Sequence, residues 1–198
     1  MLELAVLGLL QESPLHGYEL RQRLKATLGT FRAFSYGSLY PTLRRMRAAG
    51  WIVEDEGDAE VVAGAPPLTG RRGKVVYKLT AEGKERLVAL LGEAGPSAWE
   101  DETFGVHFAF FSQTDPEVRV RILEGRRSRL EERREGVRAG LARTRSRLDR
   151  YTLQLQEHGL ESVEREVRWL TDLIETERRT NSPATPPAVT SQEERGAP

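Results

Sequence analysis

The sequence has no cysteine, few aromatic residues and no excess of either charge. Aromatic residues make up 7% of its 198 residues, and its formal net charge is zero. Without thiols, disulfide cross-links, thiolate nucleophiles and cysteine-ligated zinc are excluded. Hydrophobic residues account for 38% of the chain and charged residues for 30%. This polar balance predicts a soluble protein of one or two domains that buries part of its surface in an oligomer.

Membrane and catalytic signals are also lacking. The apolar residues 1–10 include Glu3, carry no basic leader and are too few to span a bilayer, so we expect a cytoplasmic protein with no membrane partner. The three histidines, His16, His107 and His158, are far apart in sequence. No H-E-x-x-H motif, nucleophile elbow or glycine-rich phosphate loop occurs. We therefore expect no enzyme, cofactor or metal.

The zero net charge argues at first against a nucleic-acid partner, but the distribution of charge argues for one. Residues 15–47 hold seven basic residues against a single acid, Glu19, which is a net charge of +6. Phosphates respond to the potential of such a local patch more than to the total charge.

The rest of the chain is organised around residues 35–50, SYGSLYPTLRRMRAAG. Leu39, Leu43 and Met46 recur at i, i+4 and i+7, which places them on one helical stripe. The opposite face is basic and centred on Arg44. A helix start at residue 37 or 38 keeps Pro41 in the first turn, where it costs little. Such a helix suits the major groove of DNA, and an exposed helix with solvated arginines is the competing interpretation.

The surrounding elements predict a winged helix-turn-helix. Helices are expected over residues 2–10, 16–28 and 81–91, the last capped by Thr80. Strands are expected over residues 51–53 and 75–79, and the basic segment between them makes a β-hairpin wing. Residues 92–96 mark a domain boundary. Winged helices also serve as protein-binding modules, so a module that binds no DNA is the alternative function.

Three blocks carry a specific resemblance to a known family: HGYEL at residues 16–20, YGSLYPTLRRMRAAGWI at 36–52 and GRRGKVVYKLTAEGKERL at 70–87. They resemble the signature blocks of the PadR family of transcriptional regulators, in family order. The segment 104–178 resembles the helical C-terminal domain of the longer PadR subfamily. One departure is the long wing, with residues 59–69 inserted.

The resemblance implies a homodimeric repressor that binds a pseudo-palindromic operator on double-stranded DNA and is released by a small-molecule effector. Family members respond to phenolic acids, drugs or nucleotides. Two recognition helices would meet half-sites about 34 Å apart. The residues expected to contact DNA are Tyr18, Ser35, Tyr36, Ser38, Tyr40, Pro41, Arg44, Arg45, Arg71, Arg72 and Lys74. A regulator without a ligand is a further hypothesis.

The C-terminal half predicts two long helices. Asp115-Pro116 opens the first, which runs to about residue 157, with a break possible near Gly136 and Gly140. His158-Gly159 ends it and a last helix follows. Sparse apolar positions form narrow seams that predict dimerisation through Leu123, Leu130, Val163, Val167, Leu170 and Ile174.

The two helices differ in charge. Residues 117–150 carry a net charge of +6 and residues 157–178 a net charge of −4. Helices of opposite charge would pair antiparallel, within one chain or across a dimer. The alternatives are that both runs are solvated faces, or that the basic run is a second nucleic-acid surface.

An aromatic cluster follows the domain boundary. It comprises Trp99, Phe104, His107, Phe108 and Phe111, together with Phe110. One interpretation is a core that joins the two domains, and the other is an effector pocket with aromatic walls.

The predicted fold is mainly α with a small β-hairpin. Residues 1–95 form a winged helix-turn-helix DNA-binding domain, residues 96–180 a helical dimerisation and effector domain, and residues 181–198 a disordered, Pro-rich tail.

Overall fold

The computed structural model describes residues 1–29, 36–55 and 75–181. It is a mainly helical protein with one three-stranded antiparallel sheet. The elements are α1 (Leu2–Glu12), β1 (Leu15–His16), α2 (Gly17–Leu28), a 3-10 turn (Tyr36–Ser38), α3 (Leu39–Ala48), β2 (Ile52–Asp55), β3 (Val76–Leu79), α4 (Ala81–Leu91), α5 (Pro96–Trp99), α6 (Phe104–Ala109), a 3-10 turn (Phe111–Gln113), α7 (Pro116–Thr144), a 3-10 turn (Arg145–Arg147) and α8 (Arg150–Asn181). No helix in these ranges combines the length and apolar character needed to cross a bilayer.

Helix α1 is the centre of the N-terminal core. Every residue from 4 to 10 is buried, because α1 packs against α2, α3, α4 and β3. A helix with apolar residues nearly all round needs neighbours on every side. The predicted helix over residues 2–10 is confirmed, with two further residues at its end.

Helix α3 begins late, as predicted. A 3-10 turn precedes it, so Pro41 is the third helical residue and its missing N–H interrupts no hydrogen bond of the helix interior. Leu39, Leu43 and Met46 are at most 1% exposed and face the core.

The sheet contains a strand that the sequence analysis missed. Strands β2 and β3 pair antiparallel with Ile52 opposite Leu79, which confirms the hairpin. On the other edge of β3, Leu15 lies opposite Tyr77 in the two-residue strand β1, where a helix start was expected. The strand order β1-β3-β2 ties the connection between α1 and α2 to the base of the wing.

The link between the two halves belongs to both hydrophobic cores. Val106 and Phe110 join the N-terminal core, whereas Phe104 and Phe111 join the core of the C-terminal helices. Gln113 Nε2 also donates to the Gly8 carbonyl of α1 at 3.2 Å. The N-terminal core therefore extends beyond the expected boundary at residue 95.

The long helices turn earlier than expected. Helix α7 passes through Gly136 and Gly140 without a break and ends at Thr144, while α8 runs through Gly159. The cause of the turn is Asp149, whose Oδ1 accepts from the N–H groups of Tyr151 at 2.9 Å and Thr152 at 3.1 Å. A carboxylate capping the first N–H groups of α8 fixes its start, so the end expected at His158-Gly159 was wrong.

Helices α7 and α8 pair antiparallel within one chain. Cross-helix ion pairs include Arg138–Glu164 at 2.7 Å, Arg145–Glu157 at 3.0 Å and Arg119–Glu177 at 3.3 Å. The expectation of antiparallel pairing between helices of opposite charge is met inside the chain.

The pairing of α7 with α8 buries the apolar seam that was expected to join two chains. Leu123, Leu130, Val167, Leu170 and Ile174 are at most 6% exposed in the single chain. Val163 packs against the same cluster. The single chain thus buries this seam without a second chain.

Candidate nucleic-acid interface

Helix α3 presents a polar face to solvent. Tyr40 is 51% exposed, and Pro41, Arg44 and Ala48 are also exposed. The buried side of the helix is held by Leu43 and its apolar neighbours, together with Thr42. The amphipathic pattern thus fixes which residues point outward, as the sequence predicted.

Arg44 and Arg45, the two arginines of α3 that were predicted to contact DNA, differ in their surroundings. Arg45 Nη2 donates to Thr42 Oγ1 at 3.2 Å and lies 3.9 Å from Glu3 Oε1 of α1. Arg44 has no ion-pair or hydrogen-bond partner in the described part of the chain, and its side chain is exposed. Arg44 is therefore the arginine of α3 that is ready to bind an external anion.

Other basic residues of the N-terminal patch are partly neutralised. Arg47 pairs with Glu54 of β2. Arg23 lies 3.1 Å from Glu19 and 3.7 Å from Glu12. Several of these carboxylates come from elements outside the basic window, so a count along the chain overstates the positive potential.

Tyr40 and Tyr77 flank the beginning of α2. A Cβ atom added to Gly17 would lie 3.4 Å from Tyr40 Cε1 and 3.5 Å from Tyr77 Cε2, so this glycine permits both rings to approach the helix. Burial of Tyr77, with Glu54 beside it, raises the pKa of its phenol. In the second residue of α2, the hydroxyl of Tyr18 accepts a hydrogen bond from Gln22 Nε2 at 2.7 Å.

The structure describes only part of the predicted contact set. Tyr36 and Ser38 belong to the 3-10 turn that leads into α3. Ser35 and the wing residues Arg71, Arg72 and Lys74 lie outside the described residues.

The predicted effector residues divide into separate groups. Phe104, Phe108 and Phe111 lie together, with ring centroids 5.7 Å apart for Phe104–Phe108 and 5.0 Å apart for Phe108–Phe111. The sequence analysis did not include Trp169, whose ring centroid lies 5.3 Å from that of Phe108. Trp169 follows 58 positions later than Phe111 in the chain, and only the pairing of α7 with α8 brings it there.

Trp99 and His107 lie outside this aromatic cluster. Trp99 packs on α7, where a Cβ atom at Gly125 would come within 2.4 Å of its Nε1. His107 is 1% exposed and its Nε2 has no hydrogen-bond partner among the described residues. Burial, with the positive amino terminus of the chain nearby, lowers the pKa of His107 to about 4. This imidazole is therefore neutral at pH 7 and belongs to the junction of the two cores.

Arg126 is a second residue that the sequence analysis missed. Its side chain is buried, pairs with Asp101 and lies 2.8 Å from Glu166 Oε1 of α8. Its guanidinium also lies over the ring of Phe104, at 5.3 Å from the centroid. The hydrogen bond from Arg126 lowers the pKa of Asp101. Arg126 thus fastens the segment after α5 to both long helices and to one wall of the aromatic cluster.

Comparisons with known proteins place the N-terminal domain in a family. Residues 6–89 match the family model described as the transcriptional regulator PadR-like family. No curated protein matches the chain.

Several solved structures resemble the chain over most of its length. PadR of Bacillus subtilis, solved in complex with operator DNA, is 21% identical and has a TM-score of 0.40, and the match covers 89% of this chain and 98% of that one. The same protein has been solved with p-coumaric acid. A PadR-like transcriptional regulator of Bacillus cereus is 21% identical over 91% of this chain and 99% of its own, with a TM-score of 0.39.

The matched residues 6–89 contain α3 with its outward-facing Arg44, and most of the helical core and sheet that hold this helix in place. By this match the chain carries, over residues 6–89, a domain of the PadR-like family of transcriptional regulators.

Proposed function

We propose that the protein is a homodimeric repressor that inserts α3 into the major groove of a pseudo-palindromic operator. The observation that supports this most directly is Arg44, an exposed arginine without a partner in the described residues, on the outward face of a helix whose other side is fixed in the core. Arginine binds base edges and phosphates through a fork of N–H donors, and no carboxylate of the described residues competes for Arg44.

The neighbouring residues supply the positioning contacts in this proposal. Tyr40, Pro41 and Tyr18 line the exposed side of α3 and the start of α2, and Ser38 precedes α3. Arg45 would leave its 3.9 Å contact with Glu3 to reach a phosphate. The wing residues Arg71, Arg72 and Lys74 would track the adjacent backbone.

The proposed effector site is the aromatic cluster of Phe104, Phe108, Phe111 and Trp169. Phe108 is only half-buried and Trp169 is 41% exposed, so these rings offer a planar ligand an accessible apolar wall. Helix α6 carries Phe104 into this cluster and Val106 into the N-terminal core. A ligand that shifts α6 would therefore change how the winged helix sits on the long helices, and so the spacing of the two α3 helices.

The test begins with the operator. Fragments of the native genome that the purified protein retains give the operator, and fluorescence anisotropy then measures affinity for it. Arg44→Ala should weaken operator binding by 10-fold or more, since a good arginine contact to a base is worth about 1–3 kcal/mol. Arg121→Ala, an exposed arginine on α7, is the matched control and should leave affinity unchanged.

Two results would contradict the proposal. One is wild-type affinity in Arg44→Ala. The other is a failure of the wild-type protein to retain any duplex, which would favour a winged-helix module that binds a protein partner. For the effector, a small molecule that raises the melting temperature and also releases DNA would exclude a regulator without a ligand.

A further inference from the structure

Helix α8 carries a second stripe that its own chain leaves uncovered. Tyr151, Leu155, His158, Ser162 and Trp169 follow one another at spacings of four, three, four and seven residues. Such spacing lines up one helical face, as in a coiled coil. At 100° per residue this stripe lies roughly 130° around the helix from the buried seam of Val167, Leu170 and Ile174.

The apolar members of the stripe are unusually exposed. Tyr151 is 79% exposed, Leu155 is 67% exposed and Trp169 is 41% exposed. Tyr151 and Leu155 lie near the tip of the α7–α8 hairpin, whereas Trp169 lies toward its base. Large apolar side chains repeated on one solvent-facing stripe are typical of a protein contact surface.

Near both ends of the stripe there are charged residues without an ion-pair partner among the described residues. At the tip, Arg147 and Arg150 have no ion-pair partner within the described ranges. Toward the base, the carboxylates of Asp172 and Glu175 lack one too. Arg150 and Asp172 are separated by 22 residues of helix, or about 33 Å, so they cannot meet within one chain.

We propose that this stripe is the contact surface for a second copy of the chain, packed with the two α8 helices antiparallel. The proposal rests on the proposed homodimer and specifies its surface. An antiparallel two-fold arrangement brings Tyr151 and Leu155 onto the partner's Trp169. It also brings Arg150 toward the partner's Asp172 and Glu175. The two-fold symmetry repeats each of these contacts once. Arg150, Asp172 and Glu175 lie on the same flank of the stripe, and antiparallel helices bring equal flanks together.

The arrangement places Ser162 close to the two-fold axis. It also brings the partner's Tyr151 against Trp169, whose other side contacts Phe104 and Phe108. The second copy thus contributes a residue beside the aromatic cluster, and a ligand there would bear directly on the dimer contact.

Single cysteines test the geometry, because the natural chain has none. Ser162→Cys should form a disulfide-linked dimer on mild oxidation, since the two Cα atoms near the axis can approach to disulfide distance. Tyr151→Cys is the matched control. In the antiparallel arrangement its two copies are about 33 Å apart, and it should stay monomeric on a denaturing gel. Cross-linking of Tyr151→Cys to itself without that of Ser162→Cys would overturn the proposal.

A charge exchange tests the flanking pairs. Arg150→Glu and Asp172→Arg should each raise the dimer dissociation constant on the order of 10-fold or more, measured by sedimentation, because each places like charges opposite one another. The combined variant Arg150→Glu/Asp172→Arg restores both pairs and should recover most of the loss. A double variant weaker than either single one would overturn the pairing.

The outcomes separate this surface from the homodimer itself. A monomeric wild-type protein in sedimentation at micromolar concentration would contradict the homodimer. A dimeric wild-type protein whose Ser162→Cys variant does not cross-link would contradict only this surface. If Arg150→Glu weakens operator binding while the dimer stays intact, the hairpin tip binds DNA and the proposal is wrong.

Discussion

His107 shows what a single buried side chain contributes to the junction of the two cores. It is 1% exposed, and burial lowers its pKa to about 4. An imidazole placed there must stay neutral, because its Nε2 has no partner among the described residues to stabilise a second proton.

This residue predicts a pH-dependent stability. In the unfolded chain this histidine has a pKa near 6.5, whereas in the folded chain it is protonated only near pH 4. Protonation therefore favours the unfolded chain, and stability is lost as pH falls from about 6.5 to about 4. Between pH 8 and pH 5 the loss attributable to His107 is about 2 kcal/mol. Urea titrations across this range should show a smaller loss in His107→Gln.

Equal slopes in His107→Gln and the wild-type protein would show that another group sets the acid sensitivity.

At the scale of elements, the glycines of α7 have opposite roles. A Cβ atom at Gly136 or Gly140 meets nothing within 4 Å, whereas a Cβ atom at Gly125 would lie 2.4 Å from Trp99 Nε1. Gly136 and Gly140 lower the helix propensity of α7 and permit no close approach of another group. Gly125, in contrast, lets α5 approach α7 closely.

The same glycine-to-alanine substitution should therefore stabilise the protein at two positions of α7 and destabilise it at a third. Gly136→Ala and Gly140→Ala should each raise the free energy of unfolding by about 1 kcal/mol. Gly125→Ala should lower it by roughly 1–3 kcal/mol, because Trp99 must move. Chemical denaturation measures all three. A stabilising Gly125→Ala would mean that α5 does not depend on this contact.

Local signals were sufficient for most elements. The helix over residues 81–91 was predicted with the observed bounds, because Thr80 and the first-turn Glu82 mark its start, and Thr80 Oγ1 does accept from Gly83 N at 3.0 Å. The start of α7 followed from Asp115-Pro116 in the same way. These are capping effects that four consecutive residues can encode.

Most errors arose where distant segments decide the structure. Strand β1 has two residues and exists because β3 pairs with it some 60 positions later. One error was local, because the turn before α8 is encoded by the capping residue Asp149, whereas the sequence analysis placed the helix end at His158-Gly159. In the candidate site, the exposed face of α3 was predictable, whereas the pairing of Arg45 with Glu3 and the place of Trp169 depend on tertiary contacts.

At the scale of the whole molecule, charge is balanced but divided. The net charge is zero, and the long helices neutralise one another through ion pairs along α7 and α8. Pairs of this kind reduce the field of the C-terminal half, so the exposed arginine of α3 acts without a strong competing patch. A protein of zero net charge can thus still present an unpaired arginine, Arg44, to a phosphate or a base edge.

The dependence of operator binding on salt measures how many such contacts form. If Arg44 of each protomer in the proposed homodimer binds a phosphate, the plot of log affinity against log salt should become shallower by about 2 in the Arg44→Ala variant. Arg121→Ala, on α7, should keep the wild-type slope. A wild-type affinity that does not change with salt would show that the partner of α3 is not the phosphate backbone, because release of counterions from DNA always accompanies its neutralisation. A normal slope that Arg44→Ala leaves unchanged would instead assign the phosphate contacts to other cations of the chain.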